Sequence, residues 1–234
     1  YYTVLFSVID WSNLLSSPNW KKQIIEKTCK NDTYGTGTTL TIWKIYKDRF
    51  ECSFVGDSTG KLYSGNEIVF QTKDHDYDNI EDLERVQSIG GLVRDAWDIH
   101  LVDGENGPLL RSKKAKTITI NSEIINMSRA LGHTGLYYGR DHRPEDAFET
   151  HIITREPDKK YKIVSGSDGF WQFMLDSDIE TISSIENNSE FLANLSRTRW
   201  NQKWDWDNTL GTIQKDVSLP ESNIDDIAVA CWYC

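Results

Sequence analysis

Three strand-like runs, Thr38–Tyr46, Phe50–Val55 and Lys61–Gln71, constrain this chain more than any other feature. The polar turns Lys47-Asp48-Arg49 and Gly56-Asp57-Ser58-Thr59-Gly60 separate them. Short polar connections of this kind join antiparallel neighbours, whereas parallel strands need a crossover of a dozen or more residues. The arrangement therefore predicts a meander, with hairpin-like connections instead of regular βαβ alternation. Further strands are expected at Tyr1–Ile9, Thr117–Ile120, His151–Arg155, Lys160–Ser165 and Ile227–Tyr233. Apolar residues at helical spacing predict a helix over Trp20–Lys30 (Trp20, Ile24, Ile25, Cys29). A second is expected over Asn79–Gly90 (Ile80, Leu83, Val86, Ile89), stopped by Gly90-Gly91. A third helix runs from Ser189 to about Trp200, and the polar stretch Asp103–Pro108 reads as an exposed loop. Antiparallel sheets flanked by helices, an α+β layered domain, is the fold class this pattern supports.

Length and charge narrow the functional classes. The 234 residues carry no repeat and no Pro/Gly/Ser-rich linker, so a single domain over 1–234 is expected. Acids outnumber bases 36 to 26, for a formal charge of −10, which argues against a nucleic-acid partner, because such binders cluster Lys and Arg. No run approaches the 18 or so apolar residues of a membrane span. The apolar opening segment lacks a basic leader, so it reads as a buried strand, and a cytoplasmic or nuclear, non-secreted protein is expected. A start at Tyr1 rather than Met reads as a fragment of a longer product. Cys231 and Cys234 form a C-x-x-C, but it closes a strand instead of opening a helix, so reduced structural thiols are expected.

Four aspartates share one context: Asp10, Asp74, Asp168 and Asp225 each stand at the end or start of an expected strand. Strand ends meet where sheets pack, and Mg²⁺ and Mn²⁺ want such oxygen donors. A strand-end aspartate is also a common turn or cap residue, so spacing alone does not choose between the two.

A resemblance does choose. Gly37-Thr38-Thr39, Val55-Gly56-Asp57-Ser58, Thr72-Lys73-Asp74-His75, Glu84-Arg85-Val86 through Gly90-Gly91, Ser128-Arg129-Ala130-Leu131-Gly132, Ser167-Asp168-Gly169-Phe170-Trp171 and Asp225-Asp226-Ile227 follow one another in that order. In order and spacing they resemble the motifs of the metal-dependent protein phosphatases of the protein phosphatase 2C family. The resemblance implies a four-layer αββα sandwich, two antiparallel sheets packed centrally and flanked by helices. It implies a monomer that hydrolyses phosphoserine and phosphothreonine in phosphoproteins through a water activated by two Mn²⁺ or Mg²⁺ ions. By matched position, Asp10 bridges both ions, Asp168 and Asp225 complete the first site, the Trp11 backbone carbonyl serves the second ion, and Asp74 belongs to a third, weaker site. Residues between Gly91 and Asn126 are expected to form a flap beside the active site.

The departures fall in the catalytic centre. Asp10-Trp11-Ser12-Asn13 stands where the family reads D-G-H-G, so Ser12 replaces the histidine proposed as general acid. A serine hydroxyl has no pKa near 7 and fills that role poorly. His75 and His133 are expected to be structural rather than substitutes, and His133 replaces an acidic residue. The family's upstream R-x-x-x-E-D segment has no counterpart in this sequence, so the domain is expected to lack its N-terminal strand and motif. Two functions follow: a phosphatase of weakened activity, or a pseudophosphatase that keeps the fold as a protein-binding regulatory module. Trp200, Trp204 and Trp206 are expected to pack in the core or form a lid at a helix end.

Overall fold

Alternating burial gives each central strand two different neighbours, and that alternation orders the elements. The computed structural model describes residues 10–29, 37–120, 123–133, 147–180 and 188–233; the expected opening strand lies outside the described residues. Helices α1 (Trp11–Ser16) and α2 (Trp20–Cys29) come first, then strands β1 (Gly37–Thr38), β2 (Leu40–Ile45), β3 (Arg49–Val55), β4 (Thr59–Ser64) and β5 (Glu67–Gln71). Helix α3 (Ile80–Ser88) precedes β6 (Leu92–Gly104), β7 (Gly107–Ile120), β8 (Glu123–Ile125), β9 (Leu131–Gly132), β10 (Glu149–Thr154) and β11 (Tyr161–Gly166). Helices α4 (Asp168–Trp171), α5 (Asp176–Glu180) and α6 (Asn188–Trp200) then lead to β12 (Lys203–Asp207), β13 (Ile213–Ser218) and β14 (Val229–Tyr233).

The expected meander is corrected in two respects. Its third run is two strands, because Gly65 turns at φ +61° and folds β5 back along β4. The strands also belong to different sheets: β2 and β3 join β10 in the order β10-β3-β2, while β4 and β5 join β11 and β14 in the order β14-β11-β4-β5. The chain changes sheet in the Gly56–Ser58 turn. Gly56 sits at φ +100° there, and a Cβ on it would stand 2.3 Å from the Thr39 side chain, so this position requires glycine.

Each sheet has two apolar faces. Trp43 and Ile45 of β2, Phe50 of β3 and Ile153 of β10 meet Leu62, Phe70, Tyr161, Ile163 and Trp232 of the other sheet. From the same strands, Leu40, Ile42 and Val55 point the opposite way and pack on Leu14, Trp20, Ile24 and Ile25 of α1 and α2. In the second sheet Tyr63, Val164, Val229 and Cys231 face away from the first and cover Phe170, Ile179 and Leu192 of α4, α5 and α6. At about 25 cal/mol per Å² of apolar surface removed from water, these interlayer contacts are the main favourable term in the fold.

A third sheet lies beside this stack. β6 and β7 form a long antiparallel hairpin in unbroken register from Leu92↔Thr119 to Gly104↔Gly107. The stretch expected as an irregular loop at Asp103–Pro108 is the tip of this hairpin. β7 also pairs with β8 and, in parallel, with β12, whose hairpin with β13 follows the helix expected to end at about Trp200 in a stretch where no strand is expected. Trp200 is buried against Leu101, Leu110 and Phe173, with Trp204 and Trp206 partly buried on the same cluster, so of the two expected roles, core or lid, packing on a core is the one seen. Among the described residues no helix is long and apolar enough to cross a membrane.

Candidate active site

The Ser167–Trp171 turn is locked from several sides. At the end of β11 the Ser167 N–H donates to Ala228 O (2.9 Å), its hydroxyl donates to Asp226 O (2.7 Å), and the Ala228 N–H donates back to that hydroxyl (3.1 Å). These bonds stitch the end of β11 to the segment entering β14. Gly169 lets the two segments touch: a Cβ there would stand 2.7 Å from Asp226 O and 2.8 Å from Asp225 Cβ. The Trp200 indole donates to Gly169 O (2.8 Å), and the Trp171 indole donates to Thr59 O at the start of β4 (2.8 Å). Asp168 and Asp225 are thereby held together, beside the turn that carries Asp57.

That turn is fixed by His75. The Gly56 N–H donates to His75 Nδ1 (3.0 Å), the His75 N–H donates to Gly56 O (3.0 Å), and the Ser128 N–H donates to His75 O (2.7 Å). The ring is 2% exposed, stacks on Phe54 at 4.9 Å, and burial pushes its pKa down to about 4. His75 is a structural pin, as expected, and at neutral pH its imidazole is uncharged, so it is not the imidazolium that a general acid needs. His133 sits beyond β9 at φ +47°, its ring against Gly37. The Ser128-Arg129 motif is explained by Asp82, a buried carboxylate that accepts from Ser128 Oγ (3.0 Å) and Arg129 Nε (2.9 Å) and pairs with Arg85 (3.3 Å).

A cleft of about 470 Å³ opens between these turns and the β6–β7 hairpin. Asp57, Asp74, Asp168 and Asp225 line one side of it, and Trp97, His100, Lys113 and Lys116 line the other. Burial, and then the charges of Asp168 and Asp74, raise Asp57 to about 7. Asp74 is raised to about 6, chiefly by burial and against the pull of the Thr59 hydroxyl that donates to it at 2.7 Å. Asp168 is raised by burial and by Asp225.

Three of the expected site residues, Asp74, Asp168 and Asp225, therefore share one cleft. Asp10 stands elsewhere: it is exposed, caps α1 by accepting the Asn13 N–H at 3.1 Å, and is not among the residues lining the cleft. Trp11 is the first residue of α1, where backbone carbonyls point along the helix axis, and Ser12 is exposed one residue on. Asp57 was not singled out as a site residue. Its signal is the V-G-D-S motif, which enters the resemblance with no role given to its aspartate. His100 carried no sequence signal.

Residues 14–199 match the model of the family described as protein phosphatase 2C, which is most of the chain. The chain belongs to the protein phosphatase 2C family. The match includes Asp57, Asp74 and Asp168, whereas Asp10 and Asp225 lie outside it. Protein phosphatase 2C 1 of Paramecium tetraurelia is 27% identical over 186 residues, covering 79% of this chain and 52% of the relative. A probable protein phosphatase of Dictyostelium discoideum is 26% identical over 160 residues, covering 68% of this chain and 14% of the relative. The chain thus spans about half the length of the Paramecium relative, and much less of the other. Two solved structures share the fold. A serine-threonine phosphatase 2C from Toxoplasma gondii gives a TM-score of 0.58 at 14% identity, over 92% of this chain and 64% of that one. A C. elegans sex determining protein gives 0.56 at 18% identity, over 92% of this chain and 44% of that one.

Membership in the family implies divalent metal. The cleft's donors are carboxylate oxygens, the ligand type Mg²⁺ and Mn²⁺ prefer. Burial first, and the charges of neighbouring carboxylates after it, raise the pKa of Asp57, Asp74 and Asp168, and a divalent cation offsets both costs. Among the described residues no three acidic, histidine or cysteine side chains are already drawn into a closed ligand set. The donor chemistry fits, with the carboxylates spread along one wall.

Proposed function

We propose that this domain is a Mn²⁺- or Mg²⁺-dependent protein serine/threonine phosphatase acting on phosphoserine and phosphothreonine in phosphoproteins. The observation that carries the reading is the convergence of Asp57, Asp74, Asp168 and Asp225 on one cleft, with their charges forced together. Asp168 and Asp225 would hold one cation between the ends of β11 and β14, and Asp74 would serve a second position beside Asp57. Divalent ions held there would supply positive charge to the phosphoryl oxygens and make water more acidic. The chain's own contribution is orientation: the Ser167 and Gly169 contacts fix Asp168 against Asp225, and His75 fixes the turn that carries Asp57. No histidine stands at the Ser12 position to protonate the leaving alkoxide, so a slow rate is expected.

A second reading, a pseudophosphatase that binds a protein partner, is favoured by one observation. Asp10, the residue assigned to both ions, is spent as a helix cap outside the cleft.

Calorimetric titration with Mn²⁺, paired with turnover of a phosphothreonine peptide, separates the readings. The phosphatase reading expects binding that Asp168→Asn removes, together with metal-dependent phosphate release. Metal binding without release, even in Ser12→His, would establish the pseudophosphatase. Absence of metal binding would overturn the phosphatase reading.

A further inference from the structure

The wall facing the carboxylates is built as deliberately as the carboxylate wall. In the β6–β7 hairpin Asp98 pairs with Lys113 and His100 with Arg111, and directly opposed residues share a face. Asp98, His100, Arg111 and Lys113 therefore stand together on one side of the ribbon. The hairpin is braced at several points: the Leu101 N–H donates to Gln172 O (2.7 Å), the Trp206 indole donates to Ser112 Oγ (2.9 Å), and Lys116 Nζ donates to Tyr77 O (3.2 Å). The groups on that face are thus held on a fixed platform.

Most of the hairpin's cations are already engaged. Arg111 pairs with Asp207 at 3.2 Å, Lys114 with Asp95 at 3.3 Å and Lys116 with Asp78 at 3.2 Å. Lys113 has no ion pair of that kind among the described residues; it is exposed and lines the cleft. Burial lowers the His100 pKa and the Lys113 charge adds to that, while at Asp74, which burial raises, the same charge pulls the other way. The charges balancing Lys113 are Asp98 across the ribbon and Asp74 across the cleft. His100 adds a second anomaly. Its Nε2 is buried without a hydrogen-bond partner among the described residues, in a ring that lines the same cleft. Buried polar atoms are nearly always paired, and one left over at a cleft wall marks a place where something else supplies the partner.

We propose that this face is the phosphoryl-recognition wall of the cleft, with Lys113 as its cation and His100 as a hydrogen-bond donor to a phosphoryl oxygen. The inference rests on the phosphatase reading, because a dianion enters a cleft so rich in aspartate only when divalent cations offset the facing carboxylates. A phosphoryl group would then meet positive charge from both sides. Lysine serves here as a point charge and the neutral imidazole as a directed donor.

The test measures binding of inorganic phosphate, and of a phosphothreonine peptide with its unphosphorylated twin, to the Mg²⁺-loaded protein by calorimetry. Lys113→Gln is expected to weaken phosphate and phosphopeptide binding about tenfold, the effect of losing one charge-assisted hydrogen bond. His100→Asn is expected to weaken them severalfold, and Lys113→Arg to restore most of the loss. Lys215→Gln, on β13, paired with Asp205 and not among the residues lining the cleft, is expected to change neither. In turnover the Lys113→Gln loss should appear in KM with kcat nearly unchanged. Unaltered phosphate affinity in both Lys113→Gln and His100→Asn, with native thermal unfolding, overturns the inference while leaving the phosphatase reading in place. Equal weakening of the two peptides also overturns it, since the wall would then be reading peptide and not phosphate. Lys113-dependent phosphate binding without any turnover keeps the inference and removes the catalytic reading alone.

Discussion

Asp168 and Asp10 each stand at the N-terminal end of a short helix, each after an expected strand, and they end in different environments. Around Asp168 the backbone is held by Ser167, Gly169, Trp171 and Trp200, and the carboxylate faces Asp225 across a contact only glycine permits. Around Asp10 the side chain is exposed and its visible work is to accept one N–H of its own helix. A carboxylate becomes part of a cation site when its surroundings hold it against repulsion, and a free carboxylate relaxes into a cap. The difference lies in the neighbours and not in the aspartate.

The largest effect that tests this contrast is on catalysis. Asp168→Asn should lower Mn²⁺-dependent phosphopeptide turnover by about 10³-fold, or ~4 kcal/mol of barrier. Asp10→Asn should change it far less, and an equal collapse in both variants would break the contrast and bring Asp10 to the cations. Next comes Gly169→Ala, which drives a methyl group into Asp226 O and Asp225 Cβ. A loss of about 1–3 kcal/mol in denaturant unfolding is expected, with weaker Mn²⁺ binding as Asp225 is pushed away. Asp10→Ala should cost about 1 kcal/mol through the lost cap, with Mn²⁺ affinity unchanged.

The smallest expected effect is a difference in pH slope. In chelator, Asp57 holds its proton up to about 7 in the folded state against an ordinary value of 3.8. Its stabilising contribution is therefore full below about pH 4 and is lost as pH rises through 7. His75, lowered from 6.5 to about 4, acts in the opposite sense and costs stability as pH falls through that interval. Comparing Asp57→Asn with the parent chain isolates the first term. The melting temperature of the variant relative to the parent should rise between pH 5 and pH 7.5, and saturating Mg²⁺ should reverse the ranking. A flat difference would mean that burial, with the neighbouring charges behind it, does not hold the Asp57 proton as its placement implies.

Much of this was legible in the sequence because burial imposes it. Strands of the central stack alternate between two apolar environments, as in Ile42 and Trp43, or Leu62 and Tyr63, and such patterns survive without knowledge of partners. The β6–β7 hairpin escaped because little of it is covered. Its buried positions are Leu101, Leu110, Ile118 and Ile120, and the polar residues between them imitate a loop. The split at Gly65 escaped because glycine in a strand reads equally as a bulge. At the site, Asp74, Asp168 and Asp225 were visible as strand-end carboxylates. Asp57 was hidden in a turn whose composition already had a sufficient local explanation, and His100 becomes noticeable only when its unpartnered nitrogen is seen against the cleft.

The change of sheet at Gly56–Ser58 has a kinetic consequence. Asp57 belongs to neither sheet alone, and Asp168 and Asp225 reach it only after distant parts of the chain have docked. Closing such long loops is entropically slow, so the carboxylate wall is expected to be among the last features to assemble during folding. A refolding chain would acquire its strands first and its affinity for divalent cations afterwards, which makes the onset of Mn²⁺ binding a clock for the final docking of the two sheets.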